Sequence, residues 1–217
     1  MKKLITIDQW ERKEHYNFFS DFQEPFFGVT VNIDCTIAFQ KSKSEGRSFF
    51  LYYLYRALKA ANEIENFRYR IVDGQVYLFD QVNASPTIDR PNRTFGFAYL
   101  DYVTKETVFY KKAKEEIEHV RHTTNLLPST SGENVIHFSA IPWIDFSSIS
   151  HARCYGRQDS CPKISFGKMT ERADSRVMPV SIHVHHGLAD AYHVGLFVYR
   201  FQKLLDEIWT QINRKEN

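Results

Sequence analysis

Hydrophobic and polar positions recur along this chain with two different periods, and the periods separate strands from helices. Phe27 to Ile33 alternates with a period of two and predicts a strand. Phe50, Leu54, Leu58 and Ala61 recur at helical spacing behind Ser48, a good N-cap, and predict a helix over 49–62. Arg12 to about Phe19 predicts a short helix. Residues 104–122 predict a longer one, whose Lys111 to Glu116 charge run forms a solvated face. Arg70 to Phe79 predicts a hairpin, since Asp73-Gly74 tolerates the positive φ angles of a tight turn. Val135 to Ser139 and Ile164 to Met169 predict strands, the latter turning at Ala173-Asp174-Ser175 into a strand that ends at His186. A last helix, about Asp190 to Ile212, stacks Phe197, Phe201, Leu204, Leu205, Ile208 and Ile212 on one side. Strands and helices mingled in this order predict an α/β (α+β) two-layer sandwich with a mixed β-sheet.

Composition narrows the class. With 217 residues, 43% of them hydrophobic, the chain can bury one sizeable core, and no Pro/Gly/Ser-rich linker divides it, so residues 1–217 are expected to form a single domain. The 28 basic and 26 acidic residues are interspersed and leave a net charge of +2, which gives no basic stripe for nucleic acid. No long apolar run suggests a membrane span. Lys2 and Lys3 are followed by Asp8, Glu11 and Arg12 before any adequate apolar stretch, so no signal peptide is read and a cytoplasmic location is expected. Cys35, Cys154 and Cys161 are odd in number and lack metal-type spacing, which favours reduced thiols.

The chemistry concentrates between Met178 and His193. Along that strand Val180, Ile182, Val184 and His186 share one face, while Ser181, His183 and His185 take the other, as a sheet surface, an interface or a second polar layer. Desolvation by apolar walls favours neutral imidazole, the form that can take a proton from a hydroxyl. A lone histidine on such a face is also commonly a satisfied core residue. His183, His185, His186, Asp190 and His193 could instead suggest zinc, but alternation splits them between two faces and no helical H-E-x-x-H occurs. No metal is expected. Asp190 sits where a helix N-cap is expected, and no G-x-S-x-G elbow accompanies it.

His185-His186-x-x-x-Asp190 ahead of an amphipathic helix resembles the H-H-x-x-x-D-G signature of the chloramphenicol acetyltransferase family (type A, trimeric). Trp10 to Tyr16 is similar to that family's W-x-R-x-E-H-F segment, and Phe138 to Phe146 to its S-A-x-P-W-x-x-F segment. Asn66 to Arg70 and Thr94-Phe95 fall where the family has similar short motifs, so the resemblance is effectively full length.

The resemblance implies an acetyl-CoA-dependent O-acetyltransferase with chloramphenicol as acceptor, the activity of antibiotic-resistance enzymes, with acetyl-CoA as co-substrate. It implies His186 as general base, Ser139 as donor to the oxyanion, and Asp190 paired with Arg12 as structural support. It also implies a homotrimer with sites at subunit interfaces. Phe18, Phe19 and Phe27 offer aromatic acceptor walls, with Phe97 and Ser165 among the substrate-binding positions. His151, Arg153 and Lys163 stand where the family is apolar, which suits a different, anionic alcohol as the alternative acceptor. Ala191 replaces the motif glycine. A dihydrolipoyl-type acyltransferase, weakened by the lack of a lipoyl domain or linker, and a non-catalytic ligand-binding homologue remain as further readings.

Overall fold

The computed structural model describes residues 1–152 and 159–207. In chain order the elements are β1 (Lys2–Leu4), α1 (Lys13–Ser20), β2 (Phe26–Asp34), α2 (Thr36–Ser44), α3 (Phe49–Asn62), β3 (Tyr69–Val72), β4 (Gln75–Phe79) and β5 (Asn83–Asp89). They continue with β6 (Phe95–Phe97), α4 (Glu106–Arg121), β7 (Val135–Ala140), β8 (Lys163–Phe166), β9 (Thr170–Arg172), β10 (Ser175–His185) and α5 (Ala191–Asp206). The main sheet runs β2-β10-β8-β7-β5-β6, with β9 beside β10, and a small sheet runs β1-β4-β3. Pairing is antiparallel from β2 to β8, parallel from β8 to β5, and antiparallel again between β5 and β6, so the sheet is mixed as the pattern predicts.

The two faces of the main sheet differ in chemistry. One buries Ile33, Val180, Ile182, Val184, Ile164, Phe166, Ile136 and Phe138 against α2, α3, α4 and α5. Leu54 and Leu58 of α3 and Phe197 and Phe201 of α5 are fully buried there, each contributing about 1.5–3 kcal/mol by leaving water. Ser48 caps α3 by accepting a hydrogen bond from Leu51 N at 3.4 Å. The opposite face carries Ser139, His137, Ser165, Lys163, Ser181 and His183, so the residues that alternation sets opposite the apolar face form a polar row.

Turn chemistry follows the sequence: Asp73 and Gly74 have φ of 50° and 76°, and Ala173 has φ of 48°. Several elements differ from the sequence pattern. The strand expected over 164–169 is β8, which stops at Phe166, and the chain resumes pairing in β9 after Gly167. Gly167 N still donates to Pro179 O at 2.8 Å, but Pro179 has no N–H to return the bond, so the β8–β10 ladder breaks there. The last helix is described to Asp206, and Ile208 and Ile212 lie outside the described residues. Unpredicted α2 buries only Ala38 and Ser42, so its sequence carries almost no amphipathic signal. Unpredicted β5 contains Pro86, which argues against an inner strand. Pairing on its β6 side is broken between Thr87 and the isolated Ala84–Leu100 bridge, which accommodates the missing N–H. Cys35 and Cys161 are free thiols, while Cys154 lies outside the described residues. Among the described residues, no helix is long and apolar enough to cross a membrane.

Candidate active site

Strand β10 ends at His185, and the turn between it and α5 is built on backbone bonds from Leu188 N and Ala189 N to His185 O at 2.9 and 3.0 Å. Arg12, just ahead of α1, closes over this turn. Its Nη1 meets Asp190 Oδ2 at 2.9 Å, Nη2 donates to His186 O at 3.1 Å, and Nε donates to Gly187 O at 3.3 Å. Asn66 Nδ2 donates to Leu188 O at 2.8 Å, which gives the Asn66 motif a role that its sequence alone did not disclose.

Asp190 serves both the ion pair and the helix. Its Oδ1 accepts from Tyr192 N at 3.0 Å as the N-cap of α5, and Asp190 N lies 3.2 Å from His193 Nδ1 in a capping box. Burial acts to raise its pKa, but the Arg12 hydrogen bond, the His193 and Arg12 charges and the Tyr192 N–H outweigh it, and the carboxyl is held at about 2. Ala191 is the first residue of α5 and is not one of the positive-φ residues, so replacement of the motif glycine strains nothing there.

His186 stands on this clamped turn, half-buried. Its ring stacks on Phe19 at 4.2 Å between centroids with planes 16° apart, and Phe27 tilts against it at 5.1 Å. Its backbone N donates to Pro25 O at 2.7 Å. Its Nδ1 is buried and has no hydrogen-bond partner among the described residues. Phe18 packs on Phe19 and Phe22 but is 64% exposed, an apolar surface beside the ring that is left to solvent. His185 points the other way, buried beside Phe26, and Gly187 N donates to its Nδ1 at 3.2 Å. Burial pushes the His185 pKa down to about 4, against the opposing charge of Asp159.

The remaining candidates form a second group on the polar sheet face. Ser139, Ser165, Ser181 and Thr30 make one row across β7, β8, β10 and β2. His151 Nε2 lies 2.9 Å from Ser165 Oγ, and its ring meets His183 edge-on at 4.7 Å. Lys163 Nζ donates to Asp159 Oδ2 at 2.5 Å and sits 4.4 Å over the Phe26 ring, so the cation expected to make this wall basic is already paired. Phe97 on β6 meets His137 edge-on at 6.3 Å. His137 was missed in the sequence, although it shares strand parity with Ser139; burial, aided by Lys163, pushes its pKa down to about 4. Arg153 lies outside the described residues. His183 and His185 lie on the strand face opposite Val184 and Phe27, and it is Phe27 that the His186 ring packs against; no cluster of metal-ligating groups occurs among the described residues.

The two groups do not meet within one chain. Ser139 lies two strands from Ser181, and His186 lies five residues beyond Ser181, just past the end of β10, a separation of roughly 19 Å at ordinary strand spacing and rise. Ser139 also borders a cavity of about 1220 Å³ between α3, α4, the β5–β6 hairpin and residues 139–143.

Comparison with known proteins bears on this geometry. A family model described as chloramphenicol acetyltransferase matches residues 2–202. A chloramphenicol acetyltransferase of Proteus mirabilis is 29% identical over 205 residues, covering 94% of each chain. A solved chloramphenicol acetyltransferase structure superimposes with a TM-score of 0.88 at 35% identity, covering 94% of this chain and all of the other. A probable dihydrolipoamide acetyltransferase of Listeria monocytogenes, at 12% identity and a TM-score of 0.66 over 92% of this chain and 91% of its own, shares the fold alone. With the match running from the first strand through nearly all of the last helix, the chain belongs to the chloramphenicol acetyltransferase family.

Proposed function

We propose that this chain, as one domain working in the cytoplasm, transfers the acetyl group of acetyl-CoA to a hydroxyl of chloramphenicol. The observation that carries this reading is the placement of His186, whose ring is stacked on Phe19 while Arg12 holds its carbonyl. With Nδ1 buried, Nε2 is the nitrogen left for an incoming hydroxyl. His186 takes the hydroxyl proton as the oxygen bonds to the thioester carbonyl carbon, and the carbonyl electron pair moves onto oxygen. Ser139 donates to that oxyanion, a fixed dipole in a partly desolvated site. Collapse breaks the C–S bond, and CoA leaves with the proton that His186 carried. Both substrates are held together, so no acyl-enzyme forms.

Because Ser139 and His186 of one copy are roughly 19 Å apart, the reacting centre combines His186 of one copy with Ser139 of a neighbour, in a homotrimer. The polar face carrying Ser165 and His183 then forms part of the acceptor wall and of the interface.

A second reading keeps the chemistry and changes the acceptor. It is favoured by the His151–Ser165 and Lys163–Asp159 pairs, which line this face with hydrogen-bonding and charged groups. Since Lys163 is already paired, an anionic alcohol gains less from this wall than composition suggests.

Thiol release from acetyl-CoA, measured with chloramphenicol and a panel of neutral and anionic alcohols, tests the reading. Wild type is expected to acetylate chloramphenicol, and His186→Ala to lose activity by about 10³-fold or more. Turnover of another alcohol alone replaces the acceptor. Chloramphenicol binding without thiol release for any acceptor indicates a non-catalytic homologue.

A further inference from the structure

We infer that Arg93 and Lys114 bind the phosphates of the acyl donor at the rim of the cavity that reaches Ser139, and so select a phosphorylated thioester over an unphosphorylated one. The inference deepens the acetyl-CoA reading and rests on it.

The cavity lining combines apolar and cationic side chains. Phe49, Phe50 and Tyr53 of α3, Ile117 of α4, and Ile141 and Trp143 after β7 give an apolar passage beside Ser139. Four cations, Arg90, Arg93, Lys114 and Arg121, share the lining, and two of them are spent. Arg90 is buried, donating to Val120 O at 2.9 Å and to Asn125 O at 2.6 Å, and Arg121 is paired with Glu118 at 3.1 Å and Asp89 at 3.4 Å. Arg93 and Lys114 are both exposed, and neither has an anionic or hydrogen-bonding side-chain partner among the described residues. Two unmatched cations beside an apolar passage fit a long thioester whose remote end carries phosphates.

The hairpin is built to hold Arg93 there. Arg93 has φ of 64°, a left-handed conformation that glycine or asparagine adopts more easily, so a strained position is occupied by a long cation. Arg90 N donates to Thr94 O and Arg93 N to Arg90 O, each at 3.0 Å, closing the turn. A Cβ on Gly96 would lie 2.4 Å from Arg90 Nη2; the bare glycine lets Arg90 cross to the end of α4 and fix the hairpin against the helix that bears Lys114. The two cations are therefore held on one frame, which reduces the entropy lost when a phosphate engages both.

Equilibrium binding of CoA and of pantetheine to the full chain tests this directly. Wild type is expected to prefer CoA by about a hundredfold, and Arg93→Gln and Lys114→Gln each to weaken CoA by about tenfold, with a shallower salt dependence. Lys112→Gln, on the same helix but lining a different hollow, is the control for general charge and is expected to leave CoA affinity unchanged. Equal wild-type affinity for CoA and pantetheine, or an equal loss in Lys112→Gln, overturns the inference. Preferential CoA binding with no acetyl transfer to any acceptor overturns the proposed function and leaves this inference standing.

Discussion

Arg12 and Asp190 meet at 2.9 Å across 178 positions of sequence, and the same guanidinium donates to the carbonyls of His186 and Gly187. The ion pair is thus part of a clamp on the backbone that carries His186. Arg12→Ala is expected to cost about 2 kcal/mol of stability by stranding Asp190 and two carbonyls. Arg12→Lys keeps the charge but cannot serve three acceptors with one ammonium, so kcat is expected to fall about tenfold or more with a smaller stability loss. Urea denaturation beside steady-state kinetics separates the two effects, and wild-type kcat in Arg12→Lys would show that the charge alone suffices.

Two histidines set an acid limit on the fold. His137 and His185 titrate near 4 in the folded chain, against an ordinary value of 6.5, because burial penalises their cations. Below about pH 6.5 the unfolded chain takes up protons that the fold refuses, so stability falls as pH drops towards 4, by up to about 1.4 kcal/mol per pH unit for each. Asp190, held at about 2 against 3.8, has the opposite shift relative to its charge. Its contribution is complete above about pH 4 and is lost between there and about 2. Tm measured from about pH 7 to 4 is expected to decline, and less steeply in His137→Asn. A flat wild-type profile would mean that these rings are not buried as neutral groups.

Gly28 is constrained by its neighbour across the strands. A Cβ there would stand 2.5 Å from the His183 ring, whose Nε2 lies 3.1 Å from Ser181 Oγ. Gly28→Ala must displace that ring or bend β2 beside Phe27, at a cost of about 1–3 kcal/mol. Wild-type stability in that variant would show that the ring moves freely.

Ser139→Ala is expected to lower kcat about 10²-fold or more with little change in KM, because a donor to the oxyanion acts mainly in the transition state. An equal rise in KM with kcat preserved would assign Ser139 to ground-state binding instead.

Strong local signals made much of this legible in the sequence. Alternation along β10 puts His183 and His185 on the face opposite Val184 and Phe27, and the His186 ring packs on Phe27 just past the strand's end, while the Asp73-Gly74 turn and Ser48 cap form where their residue types predict. β5 was not legible, because Pro86 contradicts an inner strand and its buried polar residues break the alternation. The charge state of the acceptor wall was hidden for another reason: Lys163 reads as a free cation until Asp159, four residues away but on the chain leading into β8, is seen against it. Distance between candidates is also invisible to motifs. Ser139 and His186 read as one site in sequence, yet in one copy they lie two strands and five residues apart.

That separation gives the most direct test of the account, through subunit mixing. His186→Ala and Ser139→Ala chains, each nearly inactive alone, would be unfolded together, refolded as mixed oligomers and assayed for acetyl transfer. If each site joins His186 of one copy to Ser139 of the next, random mixing pairs intact with intact at half times half of the interfaces and restores about a quarter of wild-type activity. Mixed oligomers no more active than either parent would contradict the shared site.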